Sequence, residues 1–94
     1  MTSQELMADG WKYIASLKNG GSMLFERDEF KILFHGNNFI FNYDEDTTRM
    51  EEIDIYISKF KYPRERFLKY RGKIITINEL NLKINELKSA QEHN

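Results

Sequence analysis

Between residues 30 and 43 the side chains alternate with a period of two on both sides of a Gly36-Asn37-Asn38 triplet. Phe30, Ile32 and Phe34 interleave with Lys31, Leu33 and His35; Phe39, Phe41 and Tyr43 repeat the pattern against Ile40 and Asn42. That period marks a strand with one face buried, and glycine and asparagine tolerate the positive φ of a tight hairpin. The aromatics of both strands fall on one face, which helices are expected to cover. A shorter run at 22–26, with a turn near Arg27-Asp28-Glu29, adds a strand before them. The pattern predicts a three-stranded antiparallel meander.

Elsewhere the spacing is helical. Thr2 and Glu5 have the Thr-x-x-Glu spacing of a capping box, and Leu6, Met7, Gly10, Tyr13, Ile14 and Leu17 follow on one side, with Trp11 at its edge. Asn19-Gly20-Gly21 is expected to end this helix. A second box, Thr48 and Glu51, opens an ambiguous stretch. Met50, Ile53, Ile57 and Phe60 fit a helix, whereas Ile53, Ile55 and Ile57 fit a strand. The cap and the length favour a helix ending before Pro63, with a fourth strand over 50–60 as the alternative. Pro63 then suits the first position of a short helix that Gly72 closes. Residues 73–75 read as extended, and a third box, Thr76 and Glu79, starts a last helix with Ile77, Leu80, Ile84 and Leu87 on one face. From about residue 89 the chain is a polar tail. The expected fold is α+β: an N-terminal helix, the three-stranded antiparallel meander, then two to three C-terminal helices packed on one sheet face.

Composition narrows the class. The 94 residues suffice for a single domain, 1–94, with one core, and 14% aromatic with 31% charged residues describes a globular chain. Cysteine is absent, which excludes disulfides, thiolate nucleophiles and cysteine-based metal sites. The first ten residues lack the basic-then-apolar order of a signal peptide, and no window approaches the roughly 18 apolar residues of a membrane span. A cytoplasmic protein without membrane contact is the expectation. A net charge of −1 supplies no global field towards nucleic acid or membrane. There is no valine, while Ile, Asn, Lys, Phe and Tyr abound; their A/T-rich codons point to an AT-rich bacterial or phage gene.

Catalytic constellations are missing from the sequence. The histidines are His35, beside the hairpin turn, and His93, in the tail, and neither has a partner at metal-ligand or dyad spacing. The serines lie outside nucleophile motifs, and Gly20-Gly21 follows a helix instead of joining a strand to one, so it is no phosphate loop. A non-enzyme with no cofactor and no metal site is expected.

Three features suit binding. Asp44, Glu45, Asp46, Glu51, Glu52 and Asp54 form an acidic run, which either solvates a loop and a helix N-terminus or meets a basic partner surface. Residues 59–73 interleave Lys59, Lys61, Arg64, Arg66, Lys69, Arg71 and Lys73 with Phe60, Tyr62, Phe67 and Tyr70. Cations neutralise phosphates and aromatic faces stack on bases, so this is single-strand-binding composition. The competing reading places Phe60 and Phe67 in the core and pairs the cations with the acidic run. Finally, if the helices are drawn correctly, Ile55 and Leu82 point away from their core stripes and offer apolar contacts to a partner or a second copy.

The leading expectation is therefore a small protein-binding module, an inhibitor or regulator of phage or mobile-element type, placed there by analogy of size and style. It would occupy a host or defence-system protein with a basic surface, using Asp44, Glu45, Asp46, Glu51, Glu52, Asp54, Ile55 and Leu82. The rival is a nucleic-acid-binding regulator using Lys61, Arg64, Arg66, Lys69, Tyr70, Arg71 and Lys73. A third reading is a structural homo-oligomer, minimally a homodimer, joined through Ile55 and Leu82.

Overall fold

A computed structural model describes residues 1–17, 22–35 and 51–92. Its elements are α1 (Ser3–Ala8), β1 (Lys12–Leu17), β2 (Ser22–Arg27), β3 (Phe30–His35), β4 (Glu52–Ile57), a single 3-10 turn (Glu65–Phe67), β5 (Leu68–Lys73) and α2 (Ile77–Glu92). The five strands form one antiparallel sheet in the order β1-β2-β3-β4-β5. A sheet of consecutive neighbours with a helix at each end of the chain replaces the expected three strands and two to three C-terminal helices; α2 is the one C-terminal helix among the described residues. The class remains α+β.

The first correction falls at Gly10. Thr2 does cap a helix, its hydroxyl accepting from the Glu5 N–H at 3.2 Å, but α1 stops at Ala8. Gly10 has φ +92, and the Trp11 and Gly10 amides turn back to the Leu6 and Met7 carbonyls at 3.0 and 3.1 Å. This pair of bonds is a Schellman ending, built on the glycine that helical spacing had placed mid-helix. The chain then leaves as β1, paired with β2 around a bulge between Tyr13 and Ala15. The bulge disturbs the period-two signal and so disguised the strand.

The second correction is β4. Thr48 lies outside the described residues, and from Glu52 the chain is extended, so the strand alternative holds over 52–57. Pairing decides the ambiguity: Ile53, Ile55 and Ile57 oppose Phe34, Ile32 and Phe30 on β3, and Ile53 and Ile55 oppose Gly72 and Tyr70 on β5. Three β-branched side chains on one face suit a central strand, and the two neighbours satisfy backbone groups on both sides. The third correction follows from it. The expected helix from Pro63 to Arg71 is reduced to the 3-10 turn and β5, and Gly72 lies within that strand instead of ending a helix. A Cβ at Gly72 would meet the Tyr70 hydroxyl at 2.5 Å, because the Tyr70 ring lies over it. The expected strand at 39–43 and its Gly-Asn-Asn turn lie outside the described residues, as do Asn19-Gly20-Gly21.

One sheet face carries the core. Phe25, Phe30, Ile32, Phe34, Ile53 and Ile55 cluster with Leu6 and Trp11 from the α1 end and with Ile74, Leu80 and Ile84. Phe34 and Tyr13 both meet Phe25 edge-on, at 5.9 and 5.6 Å, the geometry that ring quadrupoles favour. In α2 the expected stripe is present: Leu80 and Ile84 are buried, and Ile77 and Leu87 pack against them. Thr76 caps it, accepting from the Glu79 N–H at 3.1 Å. The helix runs on through Glu92, past the point where a fraying tail was expected. Arg27 ties the layers together, bonding Asp9 at 2.7 Å and Asn81 at 3.0 Å while its guanidinium lies 4.4 Å over the Trp11 ring. Among the described residues no helix is long and apolar enough to cross a membrane.

Candidate nucleic-acid interface

The opposite sheet face is polar and unusually closed. Lys31, Asp54 and Tyr56 are all buried there, as is Leu24. Strand register puts His35, Glu52 and Lys73 in one cross-strand row, and Leu33, Asp54 and Arg71 in the next. Asp54 is the hub. Its carboxylate accepts from Arg71 Nε at 2.9 Å and Nη2 at 3.1 Å, lies 2.6 Å from His35 Nε2, and accepts a longer bond from the Tyr56 hydroxyl at 3.4 Å. Arg71 reaches on to Glu65 at 3.1 Å. Burial alone would push the Asp54 carboxyl up, but the bonds from Arg71 and His35 outweigh it and hold the carboxyl below its ordinary value. Burial pushes the Tyr56 phenol up, and the Asp54 charge adds to that. A cleft of about 410 Å³ opens beside these rows; among its lining charges His35, Asp54 and Arg71 are engaged with one another and Lys73 with Glu51, while Glu52 is exposed. Arg71 bridges Asp54 on the sheet to Glu65 on the 3-10 turn, a clamp whose outer pair is exposed.

That clamp has a pH signature. A carboxyl whose pKa is lower in the folded state stabilises the fold above its unfolded value, about 3.9, and the contribution disappears as pH falls through the folded value. Urea midpoints measured from pH 5 downwards should fall, and the fall should be shallower in Asp54→Asn. Equal slopes in both proteins would remove Asp54 from the ionic network.

The clamp holds the connection between β4 and β5, residues 58–67, from its far end. Its near end is held as well. Ser58 N–H donates to the Glu29 carbonyl at 2.9 Å, the Ser58 carbonyl accepts from Lys31 Nζ at 3.0 Å, and Phe60 N–H donates to Ser58 Oγ at 3.1 Å. Lys31 is only 3% exposed and also lies 3.4 Å from Glu26, so a buried ammonium anchors the exit from β4. Across the connection the Phe60 and Phe67 rings stand 5.8 Å apart. Between these anchors Phe60 and Tyr62 are 57% and 51% exposed, which overturns the core placement considered for Phe60. Lys59, Lys61, Arg64 and Arg66 are exposed around them. No carboxylate lies within ion-pair distance of these four, or of Lys69, among the described residues. Lys61 and Arg66 instead lie over the Tyr62 and Phe67 rings, at 5.4 and 4.7 Å.

The residues expected from sequence divide accordingly. In the basic set, Lys61, Arg64, Arg66 and Lys69 stand free in this sense. Lys69 is the residue that the β4–β5 bulge leaves without a cross-strand partner. Arg71 and Lys73 are ion-paired, with Asp54 and Glu65 and with Glu51 at 3.7 Å. Tyr70 turns to the core side, beneath Lys83 at 4.6 Å. In the acidic set, Asp44, Glu45 and Asp46 lie outside the described residues. Glu51 is paired and Glu52 is exposed. Asp54 is 1% exposed and Ile55 is fully buried, so the surface roles expected of both are corrected. Strand geometry is the cause: on β4 period two turns Ile55 inward, where a helix would have turned it out. Leu82 is 69% exposed, as expected. Sequence reasoning named Lys59, Phe60 and Tyr62 in the basic aromatic segment but not among the rival's contact residues, and gave His35 no partner. Pro63, which keeps the connection out of a helix, was the available signal for the first three; nothing local signals the contact between His35 and Asp54, nineteen positions apart. His93 lies outside the described residues.

Comparison with family models, curated proteins and solved structures returns no match to this chain.

Proposed function

We propose that this protein binds single-stranded nucleic acid through the β4–β5 connection and acts as a regulator by occupying that strand. One observation carries the reading: four exposed cations without carboxylate partners among the described residues surround two exposed aromatic rings, on a connection anchored at both ends. Free ammonium and guanidinium groups neutralise phosphates, and exposed rings stack on bases of any identity. Anchoring lowers the entropy lost when the segment is held against a ligand. The net charge of −1 is no obstacle, because screening confines the relevant field to about 8 Å at physiological salt. The sequence 59–66 itself contributes four cations and one acid, Glu65, which Arg71 occupies, and Glu29 is the further acid that shares a groove with Lys59. Capture of a basic protein surface by the acidic segment keeps Glu52 and Leu82 as exposed groups, but Asp54 and Ile55 are inside the fold, so it has less support.

The test is charge reversal with a salt series. In Lys61→Glu/Arg64→Glu/Arg66→Glu, the affinity for a labelled single strand, read by fluorescence anisotropy, should fall by about 100-fold at low salt. The slope of log K against log salt should flatten by about 2, since each phosphate contact to a single strand contributes about 0.7. Ribose and deoxyribose strands run in parallel identify which is the partner. The three side chains are exposed, so the melting temperature should hold. Unchanged affinity in the triple variant would falsify this reading.

A further inference from the structure

Next to the free cations lies a groove of about 330 Å³, framed by the β2–β3 turn, the β4–β5 connection and the end of α2. Ile57, Phe60 and Phe67 give it an apolar floor and wall, with Glu29, Lys59 and Gln91 lining it as well. The volume is that of a small-molecule site. The backbone at Ser58 and Phe60 offers little to a ligand, because the Ser58 amide and carbonyl and the Phe60 amide are already bonded within the protein. Recognition of an edge therefore falls to Glu29 and Gln91, and recognition of a face to Phe60.

Resting on the nucleic-acid reading above, we infer that this groove seats one nucleobase of the bound strand, and that Glu29 makes it prefer a base carrying an exocyclic amino group. The aromatic wall supplies a stacking face for a planar ring, and Lys59 is at hand for the phosphate beside it. The Glu29 carboxylate has no ion-pair or hydrogen-bond partner among the described side chains. An ionised carboxylate only accepts hydrogen bonds. The edge it faces must therefore donate, as the N4 amino group of cytosine does and the O4 carbonyl of uracil does not. With uracil, O4 would set an acceptor against the carboxylate where cytosine sets its amino group, and the N3–H donor lies one ring position away, so a bond to it requires the stacked ring to shift. Gln91 both donates and accepts, so it accommodates either base and adds no discrimination.

Cytosine and uracil have nearly the same shape and stacking face, so tracts of the two at equal length isolate the edge. Wild-type protein should bind the cytidine tract about ten-fold tighter than the uridine tract. In Glu29→Gln that ratio should shrink to under about two-fold with the uridine affinity no weaker, because a carboxamide donates as well as accepts. In Phe60→Leu it should collapse through loss of the stacking face. Both residues are exposed, and unchanged thermal melting separates these effects from unfolding. Equal affinity for the two tracts, with salt-dependent binding retained, overturns the base seat and leaves the proposed function standing. A preference that survives both substitutions also overturns it. Absence of salt-dependent binding to either tract overturns both proposals together.

Discussion

Replacing Ile55 by glutamate is expected to remove a large part of the stability of the fold. Ile55 is fully buried, opposite Ile32 on β3 and Tyr70 on β5, at the middle of the core face. Arg71, on the next position of β5, points to the opposite face with Asp54, and Lys83 is held over the Tyr70 ring. A charge buried without a partner, added to the lost apolar packing, costs more than about 4 kcal/mol. A chain of 94 residues has a total stability of roughly 5–14 kcal/mol. Leu82→Glu is the matched control: at 69% exposure its change should stay within about 0.5 kcal/mol. Urea titration followed by fluorescence of Trp11, the single tryptophan and itself 2% exposed, reads both. A urea midpoint in Ile55→Glu as close to wild type as that of Leu82→Glu would return that side chain to the surface and undo the register of β4.

The second large effect belongs to Arg71, although its side chain is 56% exposed. Arg71→Met leaves the Asp54 carboxylate, 1% exposed, with His35 and a long bond from Tyr56. Removing one member of a pair whose other member is buried strands the buried charge, and a clear loss of stability follows. Asp54→Asn should cost less, about 1–2 kcal/mol, because Arg71 then keeps its water and Glu65. The order runs against exposure: the substitution at the more exposed residue does the greater damage. Acid should narrow the gap between Arg71→Met and wild type, since a protonated Asp54 no longer needs a cation. The same variant releases the 3-10 turn from the sheet, so amide exchange across 64–67 should quicken and strand affinity should weaken without loss of a phosphate contact. Should Asp54→Asn prove the more damaging of the two, the account of a stranded carboxylate fails.

Much of the chain was legible locally. The caps at Thr2 and Thr76 are side-chain-to-backbone bonds spanning three residues, and both are present. The stripe of α2 and the inward face of β3 follow from periods of 3.6 and two over uninterrupted runs, and the structure keeps both. Where a run was short or interrupted, local pattern misled. Gly10 stood at a position compatible with a helical stripe, and only its positive φ ends α1. Residues 52–57 satisfied two periods at once.

The candidate site divides in the same way. That residues 59–66 are basic and aromatic is written in the sequence. Which cations are free is not, because ion pairing depends on distance in space. Arg71 and Lys73 are drawn to acids by strand pairing, while Lys59, Lys61, Arg64 and Arg66 lie on a connection with no acidic strand paired to it among the described residues.

By itself, then, the order of residues determined the cysteine-free core composition, the helix caps, the burial stripe of α2 and the presence of one basic aromatic block. Tertiary structure alone decided that β4 is a strand, that Ile55 and Asp54 lie inside, and that Phe60 and Tyr62 lie outside. The reason is that a six-residue apolar segment holds too little local free energy to choose its own conformation or its exposed face. Two neighbouring strands, contributed from distant parts of the chain, make that choice by satisfying its backbone and burying one side of it.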